Sequence, residues 1–192
     1  MTTPVSGYVT DNRNLVGAGT PNLSFDIKQN VLFERNPENI AFALTSTQMP
    51  SMIGGSIADL QLSKGFIREP HWHTNAWELD YLVSGEADVS ILNPVNNNVV
   101  TYKLNRPGLT AFIPMGWMHW ISAKSDNTKL LLFFNNDQFM SVEQSVGLTR
   151  IPPEVYQNAY NINPREISRA LEPIEGTEGV VIGPPPEERT NY

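Results

Sequence analysis

Two imidazoles and a carboxylate crowd into eight residues of this chain, His71-Trp-His73-Thr-Asn-Ala-Trp-Glu78. Residues two apart on a strand face the same side, so His71 and His73 can reach one ion while Trp72 points the other way. The turn Thr74-Asn75-Ala76 returns the chain, and an antiparallel neighbour brings Glu78 to the same point. The chain has three histidines, and the third, His119, follows Pro114-Met-Gly116, a turn that ends one strand and starts another. Three neutral nitrogens and one carboxylate suit a divalent transition ion and, in six-coordinate geometry, leave two positions for water or substrate. Mn2+ and Fe2+ are the leading choices, with Zn2+, Ni2+ and Co2+ also compatible with this donor set.

Such a site needs short, closely paired strands, and the surrounding sequence supplies them. Strand-like runs are expected at Ile40 to Leu44, Ser56 to Leu62, Phe66 to His73, Glu78 to Val83, Ala87 to Leu92 and Val99 to Leu104. Thr110 to Ile113, His119 to Ala123 and Leu130 to Phe134 continue the series. Turn residues punctuate it: Ser84-Gly85, the Asn-rich Asn93 to Asn98, Arg106-Pro107-Gly108 and Lys124 to Asn127. Closely spaced strands of this kind predict an all-β antiparallel barrel or jelly roll. The spacing of Val155, Ala159, Tyr156 and Tyr160 predicts a short helix. Asn163-Pro164-Arg165-Glu166 then reads as an N-cap and first helical turn leading into Ile167 to Leu171. The organisation expected is an irregular N-terminal arm (1–30), a barrel (31–135), a helical extension (136–175) and an extended tail (176–192).

A ligand at Glu78 inverts the ordinary pattern of its strand. Simple alternation buries Leu79, Tyr81 and Val83 and exposes Glu78 and Asp80. With Glu78 turned to a metal, Asp80 and Leu82 face inward too. Leu79, Tyr81 and Val83 then form an apolar outer face for the arm, the C-terminal helices or a second subunit to cover. Asp80, buried beside a carboxylate ligand, would favour its protonated form and is a candidate acid. The four tryptophans, Trp72, Trp77, Trp117 and Trp120, flank these segments and are expected in core and interface packing, with some walling the pocket.

Composition narrows the function classes. A formal charge of −7, with no Lys/Arg cluster, argues against nucleic acid as a partner. The absence of cysteine excludes disulfides and thiolate metal sites. The first residues lack the basic and apolar regions of a signal peptide, and the longest strongly apolar run, Leu130 to Phe134, is too short to cross a bilayer. A soluble, cytoplasmic protein without membrane partners is expected.

These motifs resemble the cupin superfamily, whose first motif is Gly-x5-His-x-His-x3–4-Glu-x6-Gly and second is Gly-x5-Pro-x-Gly-x2-His-x3-Asn. Gly65, His71, His73, Glu78 and Gly85 match the first; Gly108, Pro114, Gly116 and His119 match the second, with Ala123 in place of its final Asn. The resemblance implies a double-stranded β-helix, that is, a jelly-roll barrel, with metal ligands His71, His73, Glu78 and His119. Arg68-Glu69-Pro70-His71-Trp72-His73 is similar to the Arg-Glu-x-His-Trp-His of the oxalate decarboxylase branch. Asn136 to Phe139 and Arg150 to Val155 also resemble segments that follow the barrel there. The likeness covers about residues 30 to 170; those decarboxylases carry two such domains, and this sequence carries one. It implies manganese- and dioxygen-dependent chemistry on a small carboxylate, oxalate to formate and CO2, with Arg68 orienting the substrate. Where the family's decarboxylating site has a lid resembling Ser-Glu-Asn-Ser with a proton-donating glutamate, this chain has Phe139-Met-Ser-Val-Glu-Gln-Ser145, which resembles the lid-lacking domain better; Glu143 is one candidate donor and Asp80 the second. Alternatives are an oxalate oxidase, another metal-dependent dioxygenase with an aromatic substrate, and a non-catalytic ligand-binding or structural cupin; a homo-oligomer is expected.

Overall fold

The alternating apolar runs pair into two antiparallel sheets whose inner faces share one core. The computed structural model describes residues 23–176 and 182–183. The strands are β1 (Val31–Asn36), β2 (Asn39–Leu44), β3 (Ser56–Leu62), β4 (Ile67–His73), β5 (Glu78–Ser84) and β6 (Ala87–Asn93). They continue as β7 (Asn98–Leu104), β8 (Thr110–Ile113), β9 (His119–Ala123), β10 (Thr128–Phe134), β11 (Ser141–Glu143) and β12 (Ile182–Gly183). One sheet runs β1-β2-β3-β10-β5-β8 and the other β11-β4-β9-β6-β7, with β12 also paired to β4. Leu60, Leu82 and Leu130 from the first sheet and Val89 and Ile121 from the second are fully buried in one cluster. Burying each such side chain stabilises the fold by roughly 1.5–3 kcal/mol. This is the jelly-roll barrel expected from the strand spacing.

Helices α1 (Gln144–Arg150), α2 (Pro153–Tyr160) and α3 (Pro164–Leu171) follow the barrel. The Asn163 side chain accepts from the Arg165 backbone N–H and Pro164 takes the first helical position, as the local sequence predicts. The sequence reading did not anticipate β1, β11, α1 or β12. Ser141-Val-Glu143 is too short to carry a period and becomes a strand because the edge of β4 offers it a partner. In the tail, Ile182 pairs with Arg68 and is fully buried. Residues 1–22 of the arm and the rest of the tail lie outside the described residues.

Strand β5 carries the inverted pattern that a ligand at Glu78 requires. Glu78, Asp80 and Leu82 are fully buried, while Tyr81 and Val83 are 40% and 36% exposed. Leu23 to Asn30 lies against the β2–β3 side of this sheet: Lys28 pairs with Asp59 at 3.3 Å and stands 4.2 Å above the Phe42 ring. Phe112, opposite Leu79 on β8, is 53% exposed.

The turn that ends β5 depends on Gly85. Its φ is +72°, and a Cβ there would stand 2.7 Å from the Thr128 Cα. Thr128 cannot yield, because it is buried and its single hydroxyl hydrogen is shared between the carbonyls of Ser125, 2.7 Å away, and Glu86, 3.0 Å away. Replacing Gly85 by Ala is expected to cost more than about 1 kcal/mol from the backbone conformation alone. Urea denaturation of parent and variant measures it.

Candidate metal centre

Each sheet contributes to one buried cluster. Strand β4 supplies His71 and His73, β9 supplies His119 directly opposite His71, and β5, in the other sheet, supplies Glu78. Their nearest ligand atoms all lie within 4.8 Å of one another, and all four residues are buried. The Glu78 Oε2 atom is 2.6 Å from His73 Nε2, 3.1 Å from His119 Nε2 and 4.0 Å from His71 Nε2. The four residues named from the sequence thus converge on one point.

The other nitrogen of each ring decides what this point can hold. Nδ1–H of His71 donates to the Glu69 carbonyl at 2.8 Å, that of His73 to the Met140 carbonyl at 2.8 Å, and that of His119 to the Trp117 carbonyl at 3.0 Å. A carbonyl only accepts, so the neutral rings carry their protons on Nδ1 and turn Nε2 lone pairs inward. Three lone pairs then face a carboxylate with no donor among them, and Glu78 Oε1 is buried without a partner. A divalent cation satisfies this set, and the carbonyls behind the rings hold them as outer partners of a metal site do.

The protonation of the cluster follows the same geometry. Burial, with the Arg68 charge and His119 adding to it, holds His71 well below the usual histidine range. Burial alone would raise Glu78, but the charge and Nε2–H hydrogen bonds that His119 and His73 supply when protonated, a role a cation takes over when the rings are neutral, outweigh it and hold Glu78 well below the usual carboxylate range. Asp80 is driven well above its ordinary value by burial and then by the Glu78 charge. Neither Asp80 oxygen has a hydrogen-bond partner among the described residues. Burial beside the Glu78 charge therefore favours the protonated form of Asp80.

Arg68 reaches the same cavity through an irregularity. Three residues before His71, a regular strand would put it on the opposite face, but the β4–β9 register shifts between Arg68 and His71. Arg68 lines the cavity with His71, His73 and Glu78. Its guanidinium forks onto Glu143, Nη1 to Oε2 at 2.5 Å and Nη2 to Oε1 at 2.8 Å, and Ser141 Oγ donates to Glu143 Oε1 at 2.6 Å. The two residues named separately from the sequence, Arg68 and Glu143, are therefore partners of each other. Asp80 is not among the residues lining this cavity.

The cavity is about 20 Å³, room for roughly one water-sized species. Its aromatic wall is Phe134 and Phe139, stacked at 4.1 Å, with His73 edge-on to Phe134 at 4.9 Å. None of the four tryptophans lines it, contrary to the expectation that some would. Trp72 alternates away from the ligands, and Trp77 instead meets Phe112 at 5.5 Å. Sequence reasoning also missed Met140, whose carbonyl orients His73, and Glu69, whose carboxylate accepts from Ser145 N–H and Oγ–H at 2.9 Å each. For Glu69 the available signal was its place beside Arg68 in the Arg-Glu-x-His run.

A jelly-roll barrel with three histidines and a glutamate converging inside it is the architecture of a metal-binding β-barrel. The chain belongs to the cupin family, whose profile, described as Cupin, matches residues 28–168. Legumin type B of Vicia faba is 26% identical over 133 residues, covering 69% of this chain and 40% of the legumin. Glutelin type-B 4 of Oryza sativa subsp. japonica is 30% identical over 141 residues, covering 70% of this chain and 28% of the glutelin. The structure of oxalate decarboxylase from Bacillus subtilis at pH 4.6 superposes with a TM-score of 0.74 at 23% identity, over 87% of this chain and 43% of that one. The chain thus spans less than half the length of these relatives, and the likeness to the decarboxylase is one of fold. Among the described residues no helix is long and apolar enough to cross a membrane.

Two outcomes are expected. Mn2+ at about 100 times its dissociation constant should stabilise the metal-free protein by about 2.7 kcal/mol, and His119→Ala should abolish the increment in thermal melts. Asp80 has a raised folded-state pKa, so its contribution is present at low pH and declines as pH rises above about 4. The stability of metal-free Asp80→Asn relative to the parent should therefore rise with pH, by at most about 1.4 kcal/mol per unit, in urea melts at pH 5 and 7.

Proposed function

We propose that the protein is a divalent-metal-dependent enzyme acting on a small carboxylate, with conversion of oxalate to formate and CO2 as its reaction and manganese as its metal. The observation that carries this reading is Arg68. A guanidinium lining the same cavity as the four candidate ligands already holds a carboxylate in the two-pronged geometry that a substrate carboxylate would take. His71, His73, Glu78 and His119 would hold the metal, which, when bound with dioxygen, supplies the one-electron chemistry that weakens the carbon–carbon bond.

The chain's own residues do the rest. A cavity of about 20 Å³ has no room for a dicarboxylate, so Glu143 leaves Arg68 as substrate arrives and one carboxylate replaces another on the guanidinium. Released beside the substrate, the Glu143 carboxylate takes the acid proton of hydrogen oxalate and returns it to the carbon that loses CO2, forming the new carbon–hydrogen bond. Ser141 Oγ–H, which donates to Glu143 Oε1, orients that carboxyl, and Phe134 and Phe139 keep water from the reacting carbon. Hydrogen oxalate thereby gives formate and CO2, with one carbon–carbon bond broken and one carbon–hydrogen bond formed. Asp80, outside the lining, takes no part in the proton transfer.

The closed Arg68–Glu143 pair also favours a second reading, a cupin that binds metal in a sealed site and turns nothing over. One assay separates the readings. Manganese-loaded protein incubated with carbon-13 oxalate under air is expected to yield formate and CO2 in equal amounts, followed by NMR, and Arg68→Lys to lose about tenfold or more in kcat/KM. Hydrogen peroxide with two CO2 identifies an oxidase instead, and unchanged oxalate with bound metal supports the sealed, non-catalytic site.

A further inference from the structure

Phe139 to Ser145 crosses the edge of β4 as a strap: Ser141 to Glu143 pair with His73 to His71 as strand β11, Met140 N–H donates to Asn75 Oδ1 at 2.8 Å, and four further contacts hold it. Phe139 stacks on Phe134, the Met140 carbonyl accepts from His73, Glu143 grips Arg68, and Ser145 gives two hydrogen bonds to Glu69. Adjacent residues of β4, Arg68 and Glu69, thus hold neighbouring parts of the strap. We propose that Glu69 is a positioning residue: its contact with Ser145 is the fixed point about which the Phe139–Glu143 strap opens to admit a substrate carboxylate. The proposal rests on the carboxylate-handling role given above to Arg68.

Beyond the β11–β4 ladder, the two carboxylate contacts with β4 differ in what replaces them. When Glu143 leaves Arg68, the incoming carboxylate takes over the same guanidinium, so charge and hydrogen bonds on the arginine are conserved. Nothing takes over from Ser145. Both Glu69 oxygens are used by that one residue, at 2.9 Å each, and Glu69 and Ser145 are both buried. Breaking their contact strands a buried carboxylate and the backbone N–H in the first turn of α1. The Arg68 contact is therefore the exchangeable one and the Glu69 contact the one that persists, so Glu143 returns to the same place after each opening. When the strap is closed, the same anchor returns the Met140 carbonyl to its place behind His73, which ties the anchor to the candidate metal site.

Hydrogen exchange read by mass spectrometry on the full chain, manganese-loaded and metal-free, tests this with Glu69→Ala, Glu69→Gln and Ser145→Ala. In Glu69→Ala the amides of Ser141 to Glu143 are expected to exchange about tenfold faster or more, while those of Ser56 to Leu62 keep the parental rate. Manganese should pass to a chelator faster, read by the electron paramagnetic resonance of the ion, and kcat for oxalate should fall more than KM changes. Glu69→Gln, which can still accept from Ser145 N–H and donate to its Oγ, should restore most of the protection, and Ser145→Ala should lie between. Uniformly faster exchange in both segments, unchanged strap exchange, or no rescue by Gln would overturn the proposal. If Glu69→Ala does not fold, the other two variants against the parent decide it by the same exchange contrast. A parent that leaves oxalate untouched sinks the proposed reaction, while the exchange contrast still decides the anchor.

Discussion

Convergence of three imidazole lone pairs on one buried carboxylate is the constraint around which this barrel is arranged. Each ring spends its N–H on a backbone carbonyl, so nothing among the four side chains can neutralise Glu78 Oε2 except a cation or an added proton. The histidines belong to one sheet and the glutamate to the other, so an ion bound there ties the inner faces together. The cost of an anionic group in an apolar core is met at the same place: burial beside the Glu78 charge favours the neutral form of Asp80, and the histidines face Glu78 from across the barrel.

That arrangement propagates outward. Turning Glu78 and Asp80 inward forces Tyr81 and Val83 outward, and Phe112 joins them on the neighbouring strand. The β2–β3 side of the sheet is partly covered by Lys28, which pairs with Asp59 and lies over Phe42. The apolar outer face is thus a consequence of metal-ligand chemistry inside, not a failure of patterning.

On the other sheet, β4 carries two kinds of work in seven residues. His71 and His73 serve the centre, while Arg68 and Glu69 hold the strap that closes it. A register shift between Arg68 and His71 lets both sets coexist, since a regular pleat would send the guanidinium away from the cavity. The strap is in turn part of the centre, because the Met140 carbonyl orients His73. One short segment therefore touches both Arg68 and a candidate ligand, His73.

The sequence alone determined the barrel class, the strands from Ile40 to Phe134, the capped start of α3 and the identity of the four converging residues. Those features are written in local periods, turn residues and the spacing of donor side chains, which survive without knowledge of the rest of the chain. Even the inverted face of β5 was legible, because a carboxylate needed inside decides the pleat. Only the tertiary structure decided that Arg68 and Glu143 bind each other, that Glu69 and Ser145 pin the strap, that phenylalanines and not tryptophans wall the cavity, and that Ile182 returns to β4. Arg68 and Glu143 are separated by 75 residues and Glu69 and Ser145 by 76. Pairings at that range, and a register shift that turns one arginine inward, come from how the sheet edges meet and leave no period in the sequence.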